Sequence, residues 1–156
     1  MSVPCSVPFW DLDDLVLRRL GATSVRAIFD TSGEATWRAG ESDAIDAILT
    51  APLAPSVIAL GGGAPMVPAI ANLLDKARAR RAITVVHLAC PLATLARRLG
   101  AAPGDRSSIT GRGVVEELET LSALRTPTYQ RLADVTIDAD ASADEVVERV
   151  ARAVRA

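Results

Sequence analysis

Two aspartates stand two residues apart in Phe9-Trp10-Asp11-Leu12-Asp13, where a short apolar run gives way to a segment of helical period. Such a carboxylate pair can hold the hydroxyls of a polyol and sit beside a hydrated magnesium ion. The simpler account of either group alone is a helix cap, with Asp13 or Asp14 accepting N–H groups and favouring the helix dipole. Farther along, Arg38 offers a planar fork suited to a carboxylate, and Glu41, three residues on, can brace it. An ordinary exposed ion pair would look the same in sequence. Gly61-Gly62-Gly63 follows an apolar run directly, and three glycines there let a ligand approach backbone N–H groups at a helix entrance. Two more arginines stand out: Arg106 in a Gly- and Ser-rich stretch, and Arg125, placed at a helix end with Pro127 two residues later.

These groups need elements to hold them. Val7 to Asp11, Ser56 to Leu60, Ala82 to Leu88 and Ala133 to Asp138 read as short strands, the third rich in the β-branched residues of buried parallel strands. Asp13 to Leu20, Glu34 to Leu49, Val67 to Arg80, Pro91 to Leu99, Gly113 to Leu124 and Ser142 to Val154 carry apolar residues at helical spacing. The last opens with Ser142 and Glu145 as a capping box. Alternation of this kind argues for an α/β fold with an open parallel sheet flanked by helices. In such sheets ligands bind beyond the carboxyl ends of the strands, which is where the carboxylate pair and the triple glycine fall. The stretch from Ala101 to Gly113 has few apolar anchors and reads as a mobile loop. His87 and Trp10 sit in strand patterns and read as core residues, and Tyr129 as a helix anchor.

With 156 residues, 49% of them hydrophobic, the chain has enough for one core, and a single domain over 1–156 is expected. Seventeen Lys plus Arg against 19 Asp plus Glu leave a net charge of −2, which gives no general attraction to nucleic acid or anionic lipid and favours a small-molecule partner. No apolar run approaches the roughly 20 residues that span a bilayer, so a cytoplasmic location is expected. Cys5 and Cys90 have no partner at disulfide or metal-ligand spacing.

In this order the segments resemble the shikimate kinase family over Val7 to about Val150: F-x-D-x-D, I-F-x-x-x-G-E-x-x-[FW]-R-x-x-E, a strand with GGG, a loop arginine, and R-x-P-x-Y. The resemblance implies a P-loop kinase fold and transfer of the ATP γ-phosphate to the 3-hydroxyl of shikimate in aromatic amino acid biosynthesis, with Mg2+ as the metal and a monomer as the working unit. It implies that Asp13 holds the shikimate hydroxyls and orients or deprotonates the attacking one, that Arg38 and Arg125 clamp the carboxylate, and that Gly61, Gly62 and Gly63 line the pocket. Asp11 would lie behind a magnesium-bound water, Arg106 would reach the transferring phosphate, and Arg98 would pack against the adenine. Ser107 stands where the family usually has proline, and Pro65 where it is often apolar.

The family's G-x-x-x-x-G-K-[ST] loop, which cradles the nucleotide phosphates, does not occur in these 156 residues, whose single lysine is Lys76. Three explanations are open: a chain whose first central strand and loop lie upstream, a non-catalytic shikimate kinase-like binding module, or a related small-molecule kinase such as a gluconate kinase. The paired arginines argue against a nucleotide substrate. The first explanation leads to four parallel strands with a central vacancy, a polypeptide of doubtful stability, and no ATP-dependent turnover by these residues alone.

Overall fold

A computed structural model of the chain describes residues 7–51, 54–101 and 117–154. It divides into two compact units, Met1–Leu73 and Leu74–Ala156.

In the first unit, β1 (Phe9–Asp11) leads straight into α1 (Leu12–Leu20). Asp11 is the N-cap, its Oδ1 accepting the Asp13 N–H at 2.9 Å, and Gly21 closes the helix in the left-handed conformation at φ 63°. The cap is therefore Asp11, not Asp13 or Asp14, which leaves the Asp13 carboxylate available. Next comes α2 (Val25–Thr50), longer than the periodicity suggested because Ser24 caps an additional stretch before Glu34. Gly33 breaks it into two helical halves with φ 81° and ψ 164°, a region open essentially to glycine alone. Gly40 lets α1 and α2 close up: a Cβ there would lie 2.9 Å from Val16 Cγ1. Leu12, Val16, Ile28, Trp37, Ala44 and Ile45 are buried. Then β2 (Val57–Ala59) pairs with β1 in parallel register, Phe9 opposite Val57 and Asp11 opposite Ala59. Gly61 to Gly63 follows and enters a single 3-10 turn, Ala64–Met66, which the sequence did not announce.

The division falls within α3 (Pro68–Ala79). In the second unit β3 (Val86–Ala89) pairs in parallel with β4 (Val135–Asp138), Val86 opposite Val135 and Ala89 opposite Asp138. Asp134 ties their entrance together, accepting Val85 N–H at 2.8 Å and the Arg78 guanidinium at 2.8 and 2.9 Å. Between them run α4 (Leu92–Ala101) and α5 (Leu118–Leu132). The chain then enters α6 (Ala143–Ala153), whose Ser142–Glu145 capping box is formed as the sequence indicated.

The class is thus α/β with parallel strands followed by helices. Among the described residues the strands form two separate two-stranded ladders, not one four-stranded sheet. Among the described residues each strand pairs along one edge only, and several strand side chains expected to be buried are exposed. Phe9 is 63% exposed, and Trp10, Val57 and Leu88 are also exposed, so Trp10 is not a core residue. The helix expected to end at Leu124 instead runs through Pro127 to Leu132, so Arg125 sits within a helix and not at its end. Arg106 and the expected loop lie outside the described residues, apart from Ala101, which closes α4. No helix among the described residues is long and apolar enough to cross a membrane.

Candidate substrate site

Parallel pairing of β1 with β2 brings the strand ends, and hence Asp13 and the triple glycine, side by side. A Cβ placed on Gly61 would lie 3.1 Å from Asp13 Oδ1. One placed on Gly63 would lie 2.5 Å from Arg38 Nη2, 2.6 Å from Nη1 and 2.8 Å from Cζ. The space that side chains would fill on this turn is taken by the carboxylate and the guanidinium. Gly63 has ordinary helical angles (φ −85°, ψ −29°), so Arg38, and not backbone conformation, is what demands a glycine there. Gly62 lies between them, exposed.

Arg38 is gripped by two carboxylates. Its Nη1 donates to Glu41 Oε2 at 2.8 Å, while Nε and Nη2 donate to Glu34 Oε1 at 3.0 and 2.9 Å. Glu41 is 1% exposed, which excludes the ordinary surface ion pair; Glu34 is 60% exposed. Burial pushes the Glu41 carboxyl above its usual range although Arg38 pulls it down. Burial opposes the charge on Arg38, but the bonds to Glu41 and Glu34 outweigh it and hold the guanidinium above its ordinary value. Asp13 is raised by its own partial burial and then by the Asp11 charge, with Arg38 drawing it down. A carboxylate raised in this way binds a proton more readily than a surface aspartate and suits accepting one from a hydroxyl.

Asp13, Arg38, Gly61 and Gly63 are thus brought together in the first unit. Arg98 and Arg125 belong to the second. There Arg98 Nη2 donates to the Ala141 carbonyl at 2.7 Å and Nη1 approaches Cys90 Sγ at 3.8 Å. The Arg125 charge, one helical turn before Tyr129, opposes the upward push that burial gives that phenol. His87, in β3, is half-buried and tilts its ring against Tyr129 at 5.4 Å between centroids. Sequence reasoning missed Glu34 as a partner of Arg38; its i, i+4 spacing was the available signal.

Asp11 spends an oxygen on its cap, and among the described residues no group of three or more His, Cys, Asp or Glu is gathered for a metal ion. The sequence contains no G-x-x-x-x-G-K-[ST] loop to cradle nucleotide phosphates.

The shikimate kinase family model matches residues 1–155. This chain belongs to the shikimate kinase family. Its relatives include shikimate kinase 2 of Enterobacter sp. (strain 638), 32% identical over 97% of this chain and 83% of that protein. Shikimate kinase 2 of Sodalis glossinidius (strain morsitans) is 35% identical over 91% of this chain and 78% of its own length. Among solved structures, shikimate kinase from Bacteroides thetaiotaomicron aligns at TM-score 0.78 and 25% identity, over 96% of this chain and 85% of that one. The Acinetobacter baumannii enzyme in complex with shikimate aligns at TM-score 0.80 and 24% identity, over 96% and 79%, and speaks to the fold.

Proposed function

We propose that this chain is a shikimate kinase, acting in transfer of the ATP γ-phosphate to the 3-hydroxyl of shikimate, and that Asp13, Arg38 and the Gly61–Gly63 turn form its shikimate side. The observation that carries this reading is the placing of a raised carboxylate and a braced guanidinium on one glycine turn. Each lies so close that a methyl group in place of a hydrogen would collide with it or press on it. One end of that arrangement suits a hydroxyl and the other a carboxylate, the two kinds of group that shikimate presents. Asp13 would accept hydrogen bonds from the ring hydroxyls and hold the proton that the attacking oxygen gives up. Arg38 would take the carboxylate and fix the ring's orientation. In the second unit, Arg125 is the further candidate for the carboxylate and Arg98 for the nucleotide, each by family likeness. Arg106 is the candidate for the transferring phosphate on the same ground. Both units are read as one domain over 1–156, since a single family model spans 1–155.

ATP supplies the phosphoryl group in this family, and the sequence given holds no loop for its phosphates, so the test begins with shikimate alone. Calorimetric titration of the purified chain should show binding of shikimate and weaker binding of its methyl ester, which lacks the negative charge. Arg38→Ala should weaken shikimate binding about tenfold or more and leave the ester little changed. Binding of gluconate in preference to shikimate, or an Arg38→Ala variant that binds shikimate normally, would overturn the assignment. A coupled assay of ADP formation then asks whether these residues turn over.

A further inference from the structure

Arg38 has five N–H donors, and three are already engaged by carboxylates of its own helix. The two partners are not alike. Glu41 is fully buried and fixed, while Glu34 is mostly exposed and begins the helical half that follows the break at Gly33. Asp13 adds another negative group facing the same guanidinium. A carboxylate arriving from solvent thus meets one cation that already faces three anions, and like charges at such range repel. The whole Nε–Nη2 edge is covered by a single oxygen, Glu34 Oε1.

We propose that Glu34 is an internal competitor for the substrate carboxylate, which must displace it from the Nε–Nη2 edge of Arg38, while Glu41 stays in place as the permanent brace. This deepens, and rests on, the assignment of Arg38 to the shikimate carboxylate. An exposed i, i+4 pair is weak enough for an incoming anion to exchange with it. The break at Gly33 leaves Glu34 at the start of a helical half, where its side chain can turn toward water without disturbing the turn that carries Arg38. Glu34 thereby acts as a filter: a neutral ligand gains nothing by displacing it, whereas a carboxylate replaces one anion with another.

The test is calorimetric titration of the full chain with shikimate at low salt and at about 0.5 M salt, where the Debye length is only a few ångströms. Glu34→Gln keeps the shape and removes the charge. It should tighten shikimate binding about two- to fivefold at low salt, with the gain shrinking at high salt. Glu34→Ala should do the same, and Glu41→Gln should weaken binding, because it removes the brace. Methyl shikimate should show no gain with either Glu34 variant. If the wild-type chain binds shikimate but both Glu34 variants bind it equally or more weakly, with helix content unchanged by circular dichroism, the competitor role is wrong and Arg38 keeps its assignment. No binding of shikimate by the wild type removes the functional assignment, and this role with it.

Discussion

Replacing Gly63 with alanine isolates the contact between the turn and Arg38. Alanine adopts the Gly63 backbone angles without strain, so the perturbation is purely steric. Its Cβ would stand 2.5 Å from Arg38 Nη2, whereas ordinary contact begins at 3.4 Å. The guanidinium must therefore retreat by about 0.9 Å. A free arginine would do so at little cost, but this one is held at 2.8 Å by buried Glu41 and at 2.9 and 3.0 Å by Glu34. Retreat by that distance stretches or breaks a charge-assisted bond, which costs about 2 kcal/mol. It also displaces the fork from where it would meet a carboxylate. That displacement should lower shikimate affinity by about tenfold, comparable with losing the guanidinium in Arg38→Ala. Gly61→Ala should cost about threefold at most, because its Cβ would meet Asp13 Oδ1 at 3.1 Å and the carboxylate can yield by a few tenths of an ångström. Calorimetric titration of both variants gives the comparison. Equal losses at the two positions, or none at Gly63, would refute the argument that Arg38 is pinned against the turn.

Asp13→Asn removes a carboxylate whose folded value lies above 3.8, so folding becomes less favourable as pH rises through that raised value. The variant should melt about 2 °C higher than wild type at pH 8, with the gain fading near pH 4, while shikimate binding weakens; a lower melting temperature at pH 8 would contradict the burial cost assigned to the Asp13 charge. Arg38→Ala leaves Glu41 buried without a cation and should cost about 3 kcal/mol at pH 7, and less as pH falls and the raised Glu41 carboxyl takes up a proton. Adding Glu41→Gln should recover at least half of the loss in chemical denaturation, and strict additivity of the two changes would deny their coupling. His87 is lowered from 6.5 by burial, and its Nδ1 is buried with no partner among the described residues. Stability at His87 is therefore lost as pH falls from about 6.5 toward the folded value, and His87→Leu should outlast wild type more clearly at pH 5 than at pH 8 in thermal melts.

What the sequence disclosed depended on range. Helix signals were local and dependable: Ser142 with Glu145, and the apolar periods of α1, α4 and α6, gave elements within a few residues of those found. The approach of Asp13, Arg38 and the glycines was legible because each follows a strand end or lies in a motif of recognisable order. Local signals misled where tertiary packing decides. Pro127 suggested an end to α5, yet its missing N–H forgoes one bond and the helix continues. Glu41 could not be told from a surface glutamate, because burial is set by neighbours far along the chain. Strand pairing was the least accessible part, since short apolar runs carry no mark of which run will lie beside them.

The ladder between β1 and β2 acts as a ruler. Asp11 stands opposite Ala59, Asp13 follows two residues beyond one strand and Gly61 two beyond the other. Both offsets are counted from the same rung, so the Asp13 carboxylate and the glycine turn are set by residue number as much as by residue type. A substitution on either arm changes one contact, whereas inserting a single residue after Asp11 or after Ala59 would move one arm past the other by a full step. The region should thus accept many changes of letter and almost no change of length. Its history, and any attempt to re-engineer its ligand, should proceed by exchange at fixed spacing.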